Sequence, residues 1–349
     1  MGLQSYTSQQ YLKLIEDFCE WKGFTDKQKA YLLRPNVYER NLFDLKPDEY
    51  KKLLLNMCGK SQNSQYLLEN KCYLNNFLEW AVENGYMKSN PFETEPELSI
   101  NELIKAQIEL LNMDILYPED IRKIMEKIPY NKNYYGMLIY GFYEGICNAK
   151  EFSRIQVSDI DFDKNIIRLD KRVFEGSKTL FSYIKGYIKE TEYVRIRYRS
   201  DHSGDPLSID YIYLIKVGDN LIKNNLYKRK NESEYIENID IEKNKVMIQK
   251  RISKDIKTLQ KTLELYGYKN IELSIDMINK SGFINFARKQ LHEYNDAEFC
   301  ELFIGTDSSK KNEWCQKLEK IGRRFGETVK GHVIRRNYRL YIMRSKYYF

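Results

Sequence analysis

Histidine and cysteine are scarce in this chain, with three His and six Cys in 349 residues. His202, His292 and His332 are scattered without metal-ligand spacing, and Cys19, Cys58, Cys72, Cys147, Cys300 and Cys315 form no CxxC pair. Both absences argue against a zinc site and against a disulfide framework, so no metal or cofactor is expected. The longest apolar stretch, near Met137 to Phe142, falls far short of the roughly 18 to 20 residues that cross a membrane. The opening MGLQSYTSQQYLK lacks the charged-then-apolar pattern of a leader. A cytoplasmic protein with no membrane partner is expected, and internal repeats and low-complexity tracts are also missing.

What is present is a globular composition, 42% hydrophobic and 31% charged, on a chain long enough for two domains. The charge is unevenly placed. Lys320 to Phe349 holds nine basic residues against one acid, Glu327, a net of +8, while the whole chain carries +7. Interleaved with Phe325, Tyr338, Tyr341, Tyr347 and Tyr348, this end has the make-up of a phosphate-contacting segment.

The periodicity is mostly helical. Thr7 or Ser8 caps a first helix with Tyr11, Ile15, Phe18 and Trp21 on one stripe, and a second covers Lys46 to Met57. A third runs from Ser64 to Asn84 on Leu67, Leu74, Leu78 and Ala81, stopped by Gly85 and Asn90-Pro91. A bridging helix over Glu102 to Leu111 follows, and Pro118 with two acids opens a new unit. The expected domains are 1–112 and 113–349. In the second, Asp161 to Asn165 turns into a strand at Ile166 to Leu169 with a hairpin partner at Arg172 to Phe174. Ile209 to Val217 alternates too weakly to assign. Helical patterns return at Val246 to Leu265, Ser274 to Gln290 and Asn312 to Arg324.

Three segments carry a resemblance. KCYLNNFLEWAVENGYMKSNPF, from Lys71 to Phe92, resembles the last core-binding helix of the tyrosine recombinases, the phage integrase family. Gly145-Ile146, Glu151-Phe152 and Ser158-Asp159-Ile160-Asp161 resemble that family's first arginine box and the turn into its sheet. Ser281-Gly282-Phe283-Ile284-Asn285 and the Tyr-rich carboxyl end resemble its second box and nucleophile region. The resemblance spans about Lys46 to Phe349 and implies a mainly α (α+β) fold: a helical core-binding, SAM-like DNA-binding domain, then a larger helical catalytic-type domain with a small β-sheet. It also implies double-stranded DNA as the partner, wrapped between the two domains.

The departures fall on the chemistry. Such an enzyme joins a tyrosine to a scissile phosphate while arginines, a lysine and a histidine neutralise the developing charge. The first arginine position is Cys147, with Asn148 next, and neither supplies a charged fork. The second box falls on Asp276 to Asn279, where the aspartate repels phosphate. His332 stands nine residues before Tyr341, the family's spacing to its nucleophile, whereas alignment through Phe325-Gly326-Glu327 favours Tyr338. No catalytic residue is therefore expected, with Tyr341 and Tyr338 as remnants.

For DNA contact the candidates in the first domain are Gln62, Asn63, Gln65, Lys71, Lys88 and Asn90. In the second they are Arg154, Lys280, Arg288, Lys289, Arg323, Arg324, Arg335, Arg336 and Arg339. The resulting expectation is a non-cutting operator binder, a phage or prophage transcriptional repressor controlling lysogeny, similar to the integrase-like master repressors of temperate Bacillus phages. An antirepressor protein and self-association through Arg335 to Phe349 would be further partners. One alternative is an active, divergent recombinase using Lys150, Lys171 or Lys178 with Tyr338 or Tyr341. The other is a protein-interaction module of a phage regulatory complex.

Overall fold

The computed structural model describes residues 8–25, 42–58, 64–111, 115–198, 206–226, 240–265, 273–305, 309–345 and 347. The chain separates into two compact units, Met1–Met113 and Asp114–Phe349. Mainly helical, it carries two small antiparallel sheets.

The first unit contains α1 (Ser8–Lys22), α2 (Pro47–Cys58), α3 (Ser64–Glu83), a single-turn α4 (Pro91–Thr94) and α5 (Ile100–Leu111). Pro47 and two acids open α2, where the missing proline N–H costs nothing and carboxylates meet the positive end of the helix. The α3 stripe Leu67, Leu74, Leu78 and Ala81 is buried, and Gly85 at φ 75° ends the helix as Tyr86 N–H bonds the Ala81 carbonyl at 2.8 Å. Phe18 packs against Phe77 and Trp80 with ring centroids at 5.3 and 5.6 Å. The α1 stripe is shorter than its spacing suggests. Ile15 and Phe18 are buried, but Trp21 is 60% exposed beneath the Lys22 ammonium.

The second unit begins with α6 (Pro118–Lys127), whose Asp120 carboxylate accepts the Tyr117 N–H at 2.9 Å. Next come α7 (Lys132–Glu144) and the short α8 (Ala149–Phe152). The first sheet is β1 (Ile160–Asp161), β2 (Ile166–Leu169) and β3 (Arg172–Glu175) in that order, with Ile167 opposite Phe174 and both buried. After α9 (Lys178–Lys189) a second sheet orders β4 (Glu192–Tyr198), β5 (Pro206–Ile215) and β6 (Asn224–Leu226). The unassigned stretch at Ile209 is thus a strand. Its alternation is weak because Ile212 faces inward while Ile209 and Tyr211, also apolar, face out.

Among the described residues, five further helices follow: α10 (Ile241–Leu265), α11 (Ile275–Gln290), α12 (Asp296–Ile304), α13 (Lys311–Arg324) and α14 (Gly331–Arg344). α11 crosses α7 at backbone contact, since a Cβ on Gly282 would lie 1.7 Å from the Tyr143 carbonyl oxygen. The basic carboxyl end is not a loose tail. Its α14 buries Ile334, Tyr338, Leu340, Tyr341 and Ile342, and Tyr347 beyond it packs on Phe299 of the same unit at 5.6 Å. The described part of the segment expected to reach a neighbour is therefore folded onto its own unit.

Candidate functional site

Gly145 ends α7 at φ 124°, a conformation that disfavours a side chain, and the Arg324 carbonyl would lie 2.9 Å from a Cβ there. Three residues later Asn148 caps α8, its side chain accepting the Glu151 N–H at 2.9 Å. Between them the Cys147 N–H donates to the Glu151 carboxylate at 2.8 Å. The Cys147 thiol is half-buried beside that carboxylate, and burial first, then the negative charge, pushes its pKa up to about 11. It is a neutral thiol at physiological pH.

The guanidinium in this corner comes from a place that no motif spacing marks. Arg172, at the start of β3, donates through Nε and Nη2 to both oxygens of Glu151 at 3.1 and 2.7 Å. It further donates to the Gly145 carbonyl at 2.7 Å and to the Arg324 carbonyl. The side chains of Arg172 and Glu151 are 15% and 20% exposed, so the pair is largely withdrawn from water. Strand alternation was the available signal: Arg172 lies two residues before the buried Phe174, on the same face of β3.

The second box abuts the first. Asn279 of α11 donates to the Phe142 and Ile146 carbonyls at 3.1 and 3.2 Å, closing backbone acceptors that α7 leaves open at its end. Asp276, in the first turn of α11, is exposed and pairs with Lys280 at 2.8 Å. The Lys280 ammonium lies 4.7 Å from the centre of the Tyr341 ring, and the Tyr341 hydroxyl donates to Asp276 at 3.4 Å. Tyr338 stacks on Phe283 at 4.0 Å and donates to Glu327 at 3.5 Å. Both tyrosines are fully buried, and burial followed by the Glu327 charge holds the Tyr338 hydroxyl well above its ordinary pKa. Burial also raises the Glu327 carboxyl, against the pull of Lys280.

Segments as far apart as Gly145 and Tyr341 therefore meet in one place. Cys147, Asp276, Asn279, Tyr338 and Tyr341 are brought together, joined by Arg172, Glu151 and Glu327. His332, exposed on the first turn of α14, has no hydrogen bond or ring contact to this cluster among the described residues. Lys150, Lys171 and Lys178 are exposed and make no ion pair among the described residues.

The candidate DNA contacts divide by burial. Gln62 and Asn63 lie outside the described residues, as does the Gln65 side chain. Asn90, 3% exposed, caps α4 by accepting the Phe92 N–H at 3.0 Å and bonds Asn75 at 2.9 Å, a role that leaves it no outward reach. Lys71 donates to the Leu98 carbonyl at 2.8 Å, and burial lowers its pKa. Arg335, 7% exposed, donates to the Leu302 and Gly305 carbonyls, both at 2.6 Å, and lies over Trp314, so it serves the packing of α12 to α14. Arg324 lies against Phe286 and Phe174 and donates to the Glu175 carbonyl at 2.5 Å. Arg154 pairs with Asp170 at 3.0 Å, Lys280 with Asp276, and Arg288 with Asp296 at 2.9 Å. Arg339 is half-buried within α14. Lys88, Lys289, Arg323 and Arg336 are exposed without an ion pair among the described residues.

No family model and no curated protein matches the chain. Among solved structures it is similar to the XerA recombinase, with a TM-score of 0.33 and 11% identity over 95% of this chain and 94% of that one. It is also similar to the Tn1549 transposon integrase in complex with transposon right end DNA, with a TM-score of 0.34 and 11% identity over 93% of this chain and 97% of that one. With identities and scores this low, the chemistry of the site rests on its own geometry.

Chemically, four of the five Arg172 N–H donors are engaged by a carboxylate and two carbonyls, and the two tyrosines face carboxylates. An oxyanion needs donors at the point where charge develops; among the described residues the cation nearest Tyr341 is the Lys280 ammonium, and it is paired with Asp276 at 2.8 Å.

Proposed function

We propose that this chain is a tyrosine-recombinase-type protein that holds double-stranded DNA without cutting it, and that it acts as a transcriptional repressor of a phage or prophage. The carrying observation is the state of Arg172. Segments that the integrase resemblance assigns to one active site do come together, but the guanidinium found there is turned onto Glu151 and two backbone carbonyls. Asp276 and Glu327 beside the two tyrosines add negative charge where a phosphate would need positive charge. The exposed cations Lys88, Lys289, Arg323 and Arg336 supply phosphate contacts of the kind that survive loss of catalysis.

A duplex carrying a nick beside the cleavage position tests the silence of the site. No covalent protein-DNA adduct is expected, and an adduct that disappears in Tyr341→Phe or Tyr338→Phe would overturn the proposal. Footprinting across phage promoter regions tests the repressor role, with protection over promoter elements as the expected result. Protection confined to the ends of a mobile element would instead favour a recombination partner.

A further inference from the structure

α10 arranges its charge on one line. Its inward face is Ile248, Ile252, Ile256, Leu259 and Leu263, all buried. At about 100° per residue, Lys243, Lys250, Lys254, Lys257 and Lys261 fall within an arc of roughly 60° on the opposite side. All five are exposed.

The rotation of the helix is fixed from inside. Asp255 accepts the Tyr134 hydroxyl at 2.8 Å, and Arg251 donates to the Lys223 carbonyl at 2.6 Å and to Asn225 at 3.0 Å. Lys243 pairs with Asp240 at 3.5 Å, but Lys250, Lys254, Lys257 and Lys261 have no ion pair among the described residues. Those four span about 16 Å of helix at roughly 1.5 Å per residue.

Like charges three and four residues apart destabilise a helix, whereas glutamates alternating with the lysines at that spacing would stabilise it. Between Lys243 and Lys261 the one acid of the helix, Asp255, points inward, and Glu264, which follows the line at its end, accepts from Gln260 at 2.9 Å. We infer that this lysine face of α10 is a contact surface for the sugar-phosphate backbone of duplex DNA, bound by charge and not by base sequence. The inference rests on the DNA-holding function proposed above and adds to it a surface outside the Arg172 site.

Lysine suits such a surface, because an ammonium on a flexible stem is a point charge without the planar fork that reads a base edge. An anionic lipid surface is the less fitting partner. It would call for apolar side chains along the line, and only Val246 and Met247, at one end, are exposed.

Wild type and the full-length variant K250Q/K254Q/K257Q/K261Q are to be compared in mobility shift with unrelated duplexes across a salt series. Each phosphate contact contributes roughly 0.9 to the slope of log affinity against log salt. The variant is therefore expected to bind about ten-fold or more weakly at low salt, with a shallower slope and an equal loss on every duplex. Its thermal midpoint should stay level or rise, since repulsion along the helix is relieved. The four-fold Lys→Arg variant should bind as wild type does. If the Gln variant does not fold, K254Q/K257Q should show about half of the slope change.

Wild-type binding with unchanged affinity and slope in the folded variant overturns this surface alone. Absence of any wild-type shift at low salt overturns the DNA-holding function and this surface with it. Lysine-dependent binding to phosphatidylserine vesicles, with duplex binding of the variant intact, assigns the face to lipid and overturns the inference.

Discussion

Arg172 and Glu151 show how a single pair can decide the character of a site. A bidentate pair this withdrawn from water is costly to break, because the survivor is left as an uncompensated charge. Arg172→Ala is expected to lower unfolding stability by about 3 to 5 kcal/mol, and the midpoint of a urea titration checks it. Combining it with Glu151→Gln should cost less than the two separate losses added together. Glu327 offers a second test at this scale. Its carboxyl titrates above its ordinary range in the folded protein, so the native state holds that proton more tightly than the unfolded chain does. The contribution is full below about 4.3 and is lost as pH rises through the folded value. Glu144, Glu190 and Asp255 are shifted the same way by burial. The contribution of Glu327 should therefore decline as pH rises from that point, and Glu327→Gln should remove that component from the stability measured by urea unfolding at successive pH values.

At the scale of elements, close helix crossing governs what can change. Gly282→Ala would press a methyl into the Tyr143 carbonyl and is expected to cost on the order of 3 kcal/mol, seen as a lower thermal midpoint. Gly85, at φ 75° with open space around it, should cost only about 1 to 2 kcal/mol on the same substitution. Elements with one apolar stripe were legible in sequence: α3 runs from Ser64 to Glu83, close to its expected bounds, and β2 pairs with β3 as the hairpin expected between Ile166 to Leu169 and Arg172 to Phe174. α14 was not, because its arginines dominate its composition and because the run Leu340 to Met343 is buried on consecutive positions, which hides a single apolar stripe. β5 was hidden by apolar residues on both faces. Within the site, the residues at 147, 276 and 279 could be read from motif spacing. The Arg172 pair could not, since it joins a strand to a helix through burial and not through separation in sequence.

Across the whole molecule the charge is divided between the units. Residues 1–113 hold 13 basic and 16 acidic side chains, a net of −3, and residues 114–349 hold 44 and 34, a net of +10. On the function proposed above, salt-dependent affinity for DNA should thus come mainly from the second unit. Arg323→Gln and Arg336→Gln are each expected to reduce the salt slope by roughly 0.9 in mobility shift. Asn90→Ala, which removes a buried cap, should leave that slope alone and lower the thermal midpoint, with a cost of about 1 kcal/mol.

The turn at Gly326 bears on how this site could ever change. A side chain there would meet Cys147 at 3.1 Å, and the Arg172 guanidinium lies just beyond at 3.8 Å. An arginine placed at 147 would enter a corner already filled by another arginine, its carboxylate and a backbone turn. An arginine at 279 would strip the end of α7 of the amide that closes its carbonyls. Each of these single substitutions is therefore expected to cost stability, so the corner can be rebuilt only by several changes made together, as a lock opens only when all its pins lift at once.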